Sequence, residues 1–299
     1  MPEATTKAEY LQQPEVKEIT QALAGLIPQW SITYDSRFQL LKKKTVKATG
    51  VEDVLSQYAW PAKVIAPRAV IVGGKTIQAS DVIQSYNWIT TKHVLEALSE
   101  RLKDALSRNC DDDVLAWAGC VLDWGMGQRG ASSKKYLQSL REQGVAHYLR
   151  AVDAAVCSDD IENITEAVAP VVNSGMAKVH SLASCSNLII FDSRVALALG
   201  SAVNFLLVKQ GHMTIPDTLR FGRCFERTPL VLVGGENQPI MSRNSRWLRS
   251  QLRATWLLED VLLQTDVFEG SLGERIHSLE AALFMIGTQP EAVVTGLRA

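Results

Sequence analysis

NSGMAKVHSLASCSNLIIFDSRVALALG, residues 173–200, is the stretch around which the rest of the chain is read. A turn containing Gly175 leads into a short helix carrying Lys178 and His180, then a polar turn and the apolar run Leu188, Ile189, Ile190, Phe191. Asp192 follows, directly ahead of RVALALGSAVNFLLVKQG, a helix apolar on nearly every side and therefore expected at the centre of the fold. An aspartate in that place is a good N-cap, because its carboxylate accepts from the free amides of the first turn. The same carboxylate, kept ionised by the helix dipole, is also suited to stabilising a developing cation. Position alone leaves both readings open. The apolar run 195–208 has 14 residues and contains Gly200, Ser201 and Asn204, too short to span a bilayer, so no membrane partner is expected.

Working outward, the helical period begins near residue 81. TKHVLEALSERLKDALSR places Val94, Leu95, Leu98, Leu102 and Leu106 on one stripe. Asp111, Asp112 and Asp113 read as an N-cap cluster ahead of VLAWAGCVLDWGM. SKKYLQSLREQG, stopped by Gly144, and HYLRAVDAAVCS come next, and Thr165 reads as the cap of a further helix. RNSRWLRSQLRATWLLEDVLLQ and GERIHSLEAALFMIG complete the helical part, with Trp117 and Trp247 assigned to packing. Before residue 81, PRAVIVGGKTIQAS holds two β-rich runs around Gly73-Gly74, a tight-turn signature that predicts one hairpin. The phosphate-loop frame G-x-x-x-x-G-K-[ST] is absent around those glycines. The expected architecture is mainly α with one small β-hairpin. Residues 1–80 read as an N-terminal extension with a short helix near 15–26, and 81–299 as a helical domain.

Composition excludes little by itself. The 299 residues are 46% hydrophobic and carry a formal net charge of −1, so bulk charge neither proposes nor excludes a nucleic-acid partner. The charge is unevenly spread: residues 37–75 hold eight Lys and Arg against two acids, and residues 209–253 hold eight against three. Two such stretches make a phosphate-facing surface if they meet in space, and otherwise are solvated faces. Arg243, Arg246, Arg249 and Arg253 have helical spacing, which suits either a DNA backbone or the wet side of a helix paired with Glu259 and Asp260. The five cysteines are scattered and odd in number, which is no disulfide framework, and the N-terminus lacks a secretory apolar core, so a cytoplasmic location is expected. No His, Cys or carboxylate cluster has metal spacing, and no cofactor is expected.

The segment around FDSRV, residues 191–195, resembles the helix-hairpin-helix DNA glycosylases, including the 8-oxoguanine type, over about residues 113–287. That family pairs a lysine after a glycine hairpin with an aspartate at the head of the next helix, often in a V-D-x-H-V-like string. The resemblance implies that Lys178 and Asp192 are the catalytic pair. It departs from the family in having one glycine, Gly175, in place of two, and only fourteen residues from Lys178 to Asp192. VLDWGMGQR resembles the helix end near which such enzymes place base-probing residues, which implies Trp124, Gln128 and Arg129. Gly175, His180, Arg194, Arg243, Arg246 and Arg249 complete the candidate DNA- and base-contacting set.

The chemistry of the pair is clear in itself. Breaking an N-glycosidic bond builds positive charge on the sugar, which a carboxylate stabilises. An amine whose pKa is lowered by desolvation can attack the anomeric carbon and go on, through a Schiff base, to strand cleavage. The expected function is therefore a DNA glycosylase that flips out a damaged or modified base, in base-excision repair or in defence against foreign DNA. The competing expectation is a non-catalytic helical DNA-binding or interaction protein in which Asp192 only caps. An enzyme requires Lys178 and Asp192 to face one concave, basic-rimmed cleft, whereas a binder leaves them on different surfaces.

Overall fold

The computed structural model describes residues 4–35, 45–222 and 244–287. Eleven α-helices lie among them: α1 Lys7–Gln12, α2 Pro14–Leu26, α3 Gly50–Ser56, α4 Trp88–Ser107, α5 Asp111–Met126, α6 Ala131–Ser139, α7 Val145–Cys157, α8 Ser174–Ala183, α9 Ser193–Lys209, α10 Ser245–Leu263 and α11 Leu272–Ile286. Six short strands, β1 Ser31–Asp35, β2 Thr45–Thr49, β3 Ala62–Ile65, β4 Val70–Val72, β5 Lys75–Ile77 and β6 Val82–Ser85, form three antiparallel pairs. The fold is mainly helical, but the helical part begins at Trp88 and not near residue 81, because Val82–Ser85 pairs with β3 as strand β6.

The hairpin at Gly73-Gly74 is β4–β5, with Val70 opposite Ile77 and φ of +53° and +78° at the two glycines. That conformation suits residues without a Cβ. The expectation of a single hairpin is corrected: β3–β6 brackets this one, and β1–β2 forms a third pair. Both carry the two-residue period of half-buried strands, Val46 and Ala48 facing in while Thr45, Lys47 and Thr49 face out. Thr165 caps a single turn through its hydrogen bond from the Val168 amide, not a helix. The three aspartates at the head of α5 occupy its first turn, and the N-cap position belongs to Cys110.

The central helix is α9, buried along nearly its whole length and packed on α2 and α11. The first helices belong to the same core. Tyr10 of α1 is fully buried against Trp256 of α10, and Lys7 reaches Glu259 at 2.7 Å.

The apolar run Leu188–Phe191 is neither helix nor strand and, among the described residues, has no strand partner, so its backbone groups are satisfied by side chains. Ser181 donates to the Leu188 carbonyl at 2.7 Å, and Gln251 to the Ile189 carbonyl at 2.6 Å. The Trp247 indole donates to the Phe191 carbonyl at 3.0 Å, and the Ile190 amide donates to Glu280 at 2.8 Å. Contacts from α8, α10 and α11 thus hold the segment that delivers Asp192.

Candidate functional site

Two helix starts build the site. At the head of α8, Asn173 Oδ1 accepts from the amides of Gly175 and Met176 at 2.9 and 3.0 Å, and from Ser133 Oγ at 2.9 Å. The amides that a phosphate-gripping turn offers are taken by this cap. Gly175 lies inside the first turn of α8, where a Cβ would come within 2.5 Å of Ser133 Oγ. Its lack of a side chain serves close helix packing.

One turn further on, Lys178 runs inward across Gly125 of α5, where a Cβ would lie 2.3 Å from Lys178 Cδ. Its Nζ donates to Asp192 Oδ2 at 3.0 Å and to the Ser174 carbonyl at 3.2 Å. Asp192 uses its other oxygen as the N-cap of α9, Oδ1 accepting from the amides of Arg194 and Val195 at 2.9 and 3.2 Å. Capping and pairing with the lysine are therefore simultaneous. The side chains are 3% and 9% exposed, so water screens the pair little. Burial pushes the Asp192 carboxyl up, but Lys178, then Arg194, outweigh it and hold the group below the usual carboxylate range.

The pair sits in the wall of a small cavity of about 20 Å³, room for about one water molecule. Tyr58, Trp60, Trp88, Trp124 and Phe284 supply aromatic walls, and Glu280 a second carboxylate. The rings meet mostly edge-to-face: Trp60 and Phe284 at 5.2 Å, Tyr58 and Trp88 at 5.5 Å. The Arg194 guanidinium lies 4.6 Å from the Phe284 ring centre and 5.5 Å from that of Trp60. Burial pushes the Glu280 carboxyl above its ordinary value, against opposing hydrogen bonds from His277 and the Ile190 amide. One cavity thus holds a carboxylate kept ionised and a carboxyl pushed toward its neutral form, a division suited to acid–base chemistry.

Of the residues singled out in the sequence, Lys178, Asp192, Trp124 and Arg194 come together here. His180 does not. It points to the Tyr148 hydroxyl at 2.9 Å, and burial pushes its imidazole down to about 3. The arginine stripe is also divided: Arg246 is exposed, Arg249 donates from Nε to the Ile164 carbonyl at 2.9 Å, and Arg253 is buried. Arg243 and the side chains of Gln128 and Arg129 lie outside the described residues.

Sequence reading missed Tyr58, Trp60, Trp88, Glu280 and Phe284. One local signal exists for two of them, since Glu280 and Phe284 stand four residues apart on one face of α11, and Glu280 is the one charged residue in its last eight positions. Among the described residues, no group of three or more His, Cys, Asp or Glu side chains could hold a metal ion, and no helix is long and apolar enough to cross a membrane. No family model, curated protein or solved structure matches the chain.

Proposed function

We propose that this protein is a DNA N-glycosylase that extrudes a damaged or modified base and breaks its N-glycosidic bond, in base-excision repair or in defence against modified phage DNA. The observation that carries the reading is the meeting of Lys178 and Asp192 at 3.0 Å beside an aromatic-walled cavity. Aromatic faces stack on an extruded base, and the neighbouring carboxylate stabilises the cation left on the sugar.

The cavity, about 20 Å³, is too small for a base, and the Arg194 guanidinium lies over two of its aromatic walls, Trp60 and Phe284. Base entry displaces the guanidinium and puts one planar group in place of another on the same ring faces. Water is the simplest nucleophile. Attack by Lys178 first requires a base to take its proton, and Asp192, held below the usual carboxylate range, is a weak one.

The second reading, a non-catalytic helical DNA-binding or interaction protein, draws on the burial of both side chains, which gives the pair a structural use in any case. Incubation with duplexes carrying varied damaged or modified bases, read by mass spectrometry of free base, separates the two. The glycosylase reading expects base release by the wild type and none above background by Asp192→Asn. Absence of release from every duplex favours the binding protein. A borohydride-trapped adduct that Lys178→Gln abolishes identifies the lysine as nucleophile.

A further inference from the structure

Glu280 is the buried carboxyl that the pair chemistry leaves unused. It lines the same cavity as Lys178 and Asp192, and its side chain is 10% exposed. Among the described residues its hydrogen bonds engage one oxygen only: Oε2 takes the Ile190 amide at 2.8 Å and pairs with His277 Nδ1 at 3.3 Å. His277 stands one turn earlier on α11, is 41% exposed, and lines a separate groove of about 290 Å³ with Lys92, Ser99, Ser184 and Glu274. Trp88, Leu95 and Ile190 belong to the walls of both spaces, so the groove and the cavity are neighbours. The His277–Glu280 contact therefore joins the outer groove to the closed cavity.

We propose that Glu280 donates the proton to the departing base and that His277, as a positioning residue, relays a replacement proton to it from water in the groove. This rests on the glycosylase reading and adds an acid to it. The C1′–N bond breaks with its electron pair going to the base nitrogen, and the Glu280 proton goes to the base, which leaves neutral. Water adds to C1′ and gives up one proton to solvent, while one proton from groove water returns to Glu280 through His277. The sum is hydrolysis: one water is consumed, and a free base and a sugar hydroxyl are formed.

Asp192 cannot serve as this acid, since Lys178, Arg194 and two backbone amides favour its ionised form. The charged and titratable groups around Glu280 are His277 on its own helix, Lys178 from α8, Asp192 and Arg194 at the head of α9, and Tyr58 ahead of β3. Burial raises the Glu280 carboxyl, as does the Asp192 charge, whereas His277 lowers it.

The test is single-turnover release of free base across an acid-to-alkaline pH series, using duplexes carrying 8-oxoguanine, uracil or 5-hydroxymethylcytosine. A general acid must be protonated to act, so the wild-type rate falls as pH rises through the pKa of Glu280. Glu280→Gln is expected to slow release on the order of hundred-fold or more and to lose that alkaline limb. His277→Gln removes a group that lowers the carboxyl, so its limb is expected to move to higher pH, a shift that a packing role does not produce. Release by Glu280→Gln at the wild-type rate with the limb intact overturns the proposal, while inactivity of Asp192→Asn leaves the glycosylase reading standing. If Glu280→Gln does not fold, an unmoved limb in His277→Gln overturns it equally. No release by the wild type from any of the three duplexes overturns the proposed function for those bases and this acid with it.

Discussion

Asp192 and Asp113 are both aspartates at the start of a long helix, both buried, and both paired with cations, yet their surroundings make them opposites. Asp113 in the first turn of α5 is held by Arg68 and Arg108, whose side chains are 63% and 48% exposed. Its partners keep their water, and the hydrogen bond from Arg108, aided by Arg68, outweighs burial and holds its carboxyl below the ordinary range. Asp192 has a partner that is itself 3% exposed, and its second oxygen is tied to backbone amides. An ion pair with one wet end is screened and contributes little. A pair with two dry ends costs much to break, because each partner is the other's main compensation. The comparison shows which carboxylate is held in the drier setting: the one at the helix start whose cation has lost its solvent.

The largest effects are expected at Asp192. Asp192→Asn keeps a capping oxygen but leaves Lys178 buried without a counter-charge, so thermal or urea unfolding should show a loss of about 3 kcal/mol. The double variant with Lys178→Met should recover much of that loss, and a double-mutant cycle measures the coupling. Base release by Asp192→Asn, assayed where the variant is folded, should fall on the order of hundred-fold or more. Equal stability of the single and double variants would show that the pair is no more coupled than its wet counterpart.

Gly125→Ala tests the approach of the lysine. The added methyl meets the middle of the Lys178 chain, and overpacking of this kind costs about 1–3 kcal/mol. A melting temperature equal to that of the wild type would show that Lys178 has an alternative course.

A smaller effect, of about 1 kcal/mol or less, is expected for Asp113→Asn, and added salt should shrink it, whereas salt should leave the Asp192→Asn difference nearly unchanged. Both carboxyls are depressed in the folded state. Each contribution is therefore present above the carboxylate's ordinary pKa and is lost as pH falls through the lower folded value. Stability of each variant relative to the wild type should converge on acidification, and divergence in acid would reverse the sign assigned here.

Arg246→Glu should change stability least, by no more than about 0.5 kcal/mol, as at an exposed site without a buried contact. DNA affinity of this variant should fall for all sequences alike, with a shallower dependence on salt. Unchanged affinity would make Arg246 a solvated residue.

The sequence by itself determined what short windows encode. The helical stripe from Val94 to Leu106, the hairpin at Gly73-Gly74 and the cap at Asp192 each depend on residues within a turn or two, and each stands where the pattern put it. Lys178 and Asp192 were legible as a candidate pair because a lysine after a glycine-containing turn and an aspartate at the head of a helix lie in one segment. Tertiary structure alone decided that they touch, since Lys178 reaches Asp192 across the bare backbone of Gly125, fifty-three positions away in the chain. It also decided the walls. Tyr58, Trp60 and Trp88 come from the part read as an extension and its junction, Glu280 and Phe284 from the last described helix, and no local pattern links the two groups. The arginine stripe shows the same limit, for helical spacing along α10 sends Arg246 into solvent and Arg253 into the core. Period and capping are set by the backbone's own geometry, whereas burial and partner choice are set by which distant surfaces exclude water together.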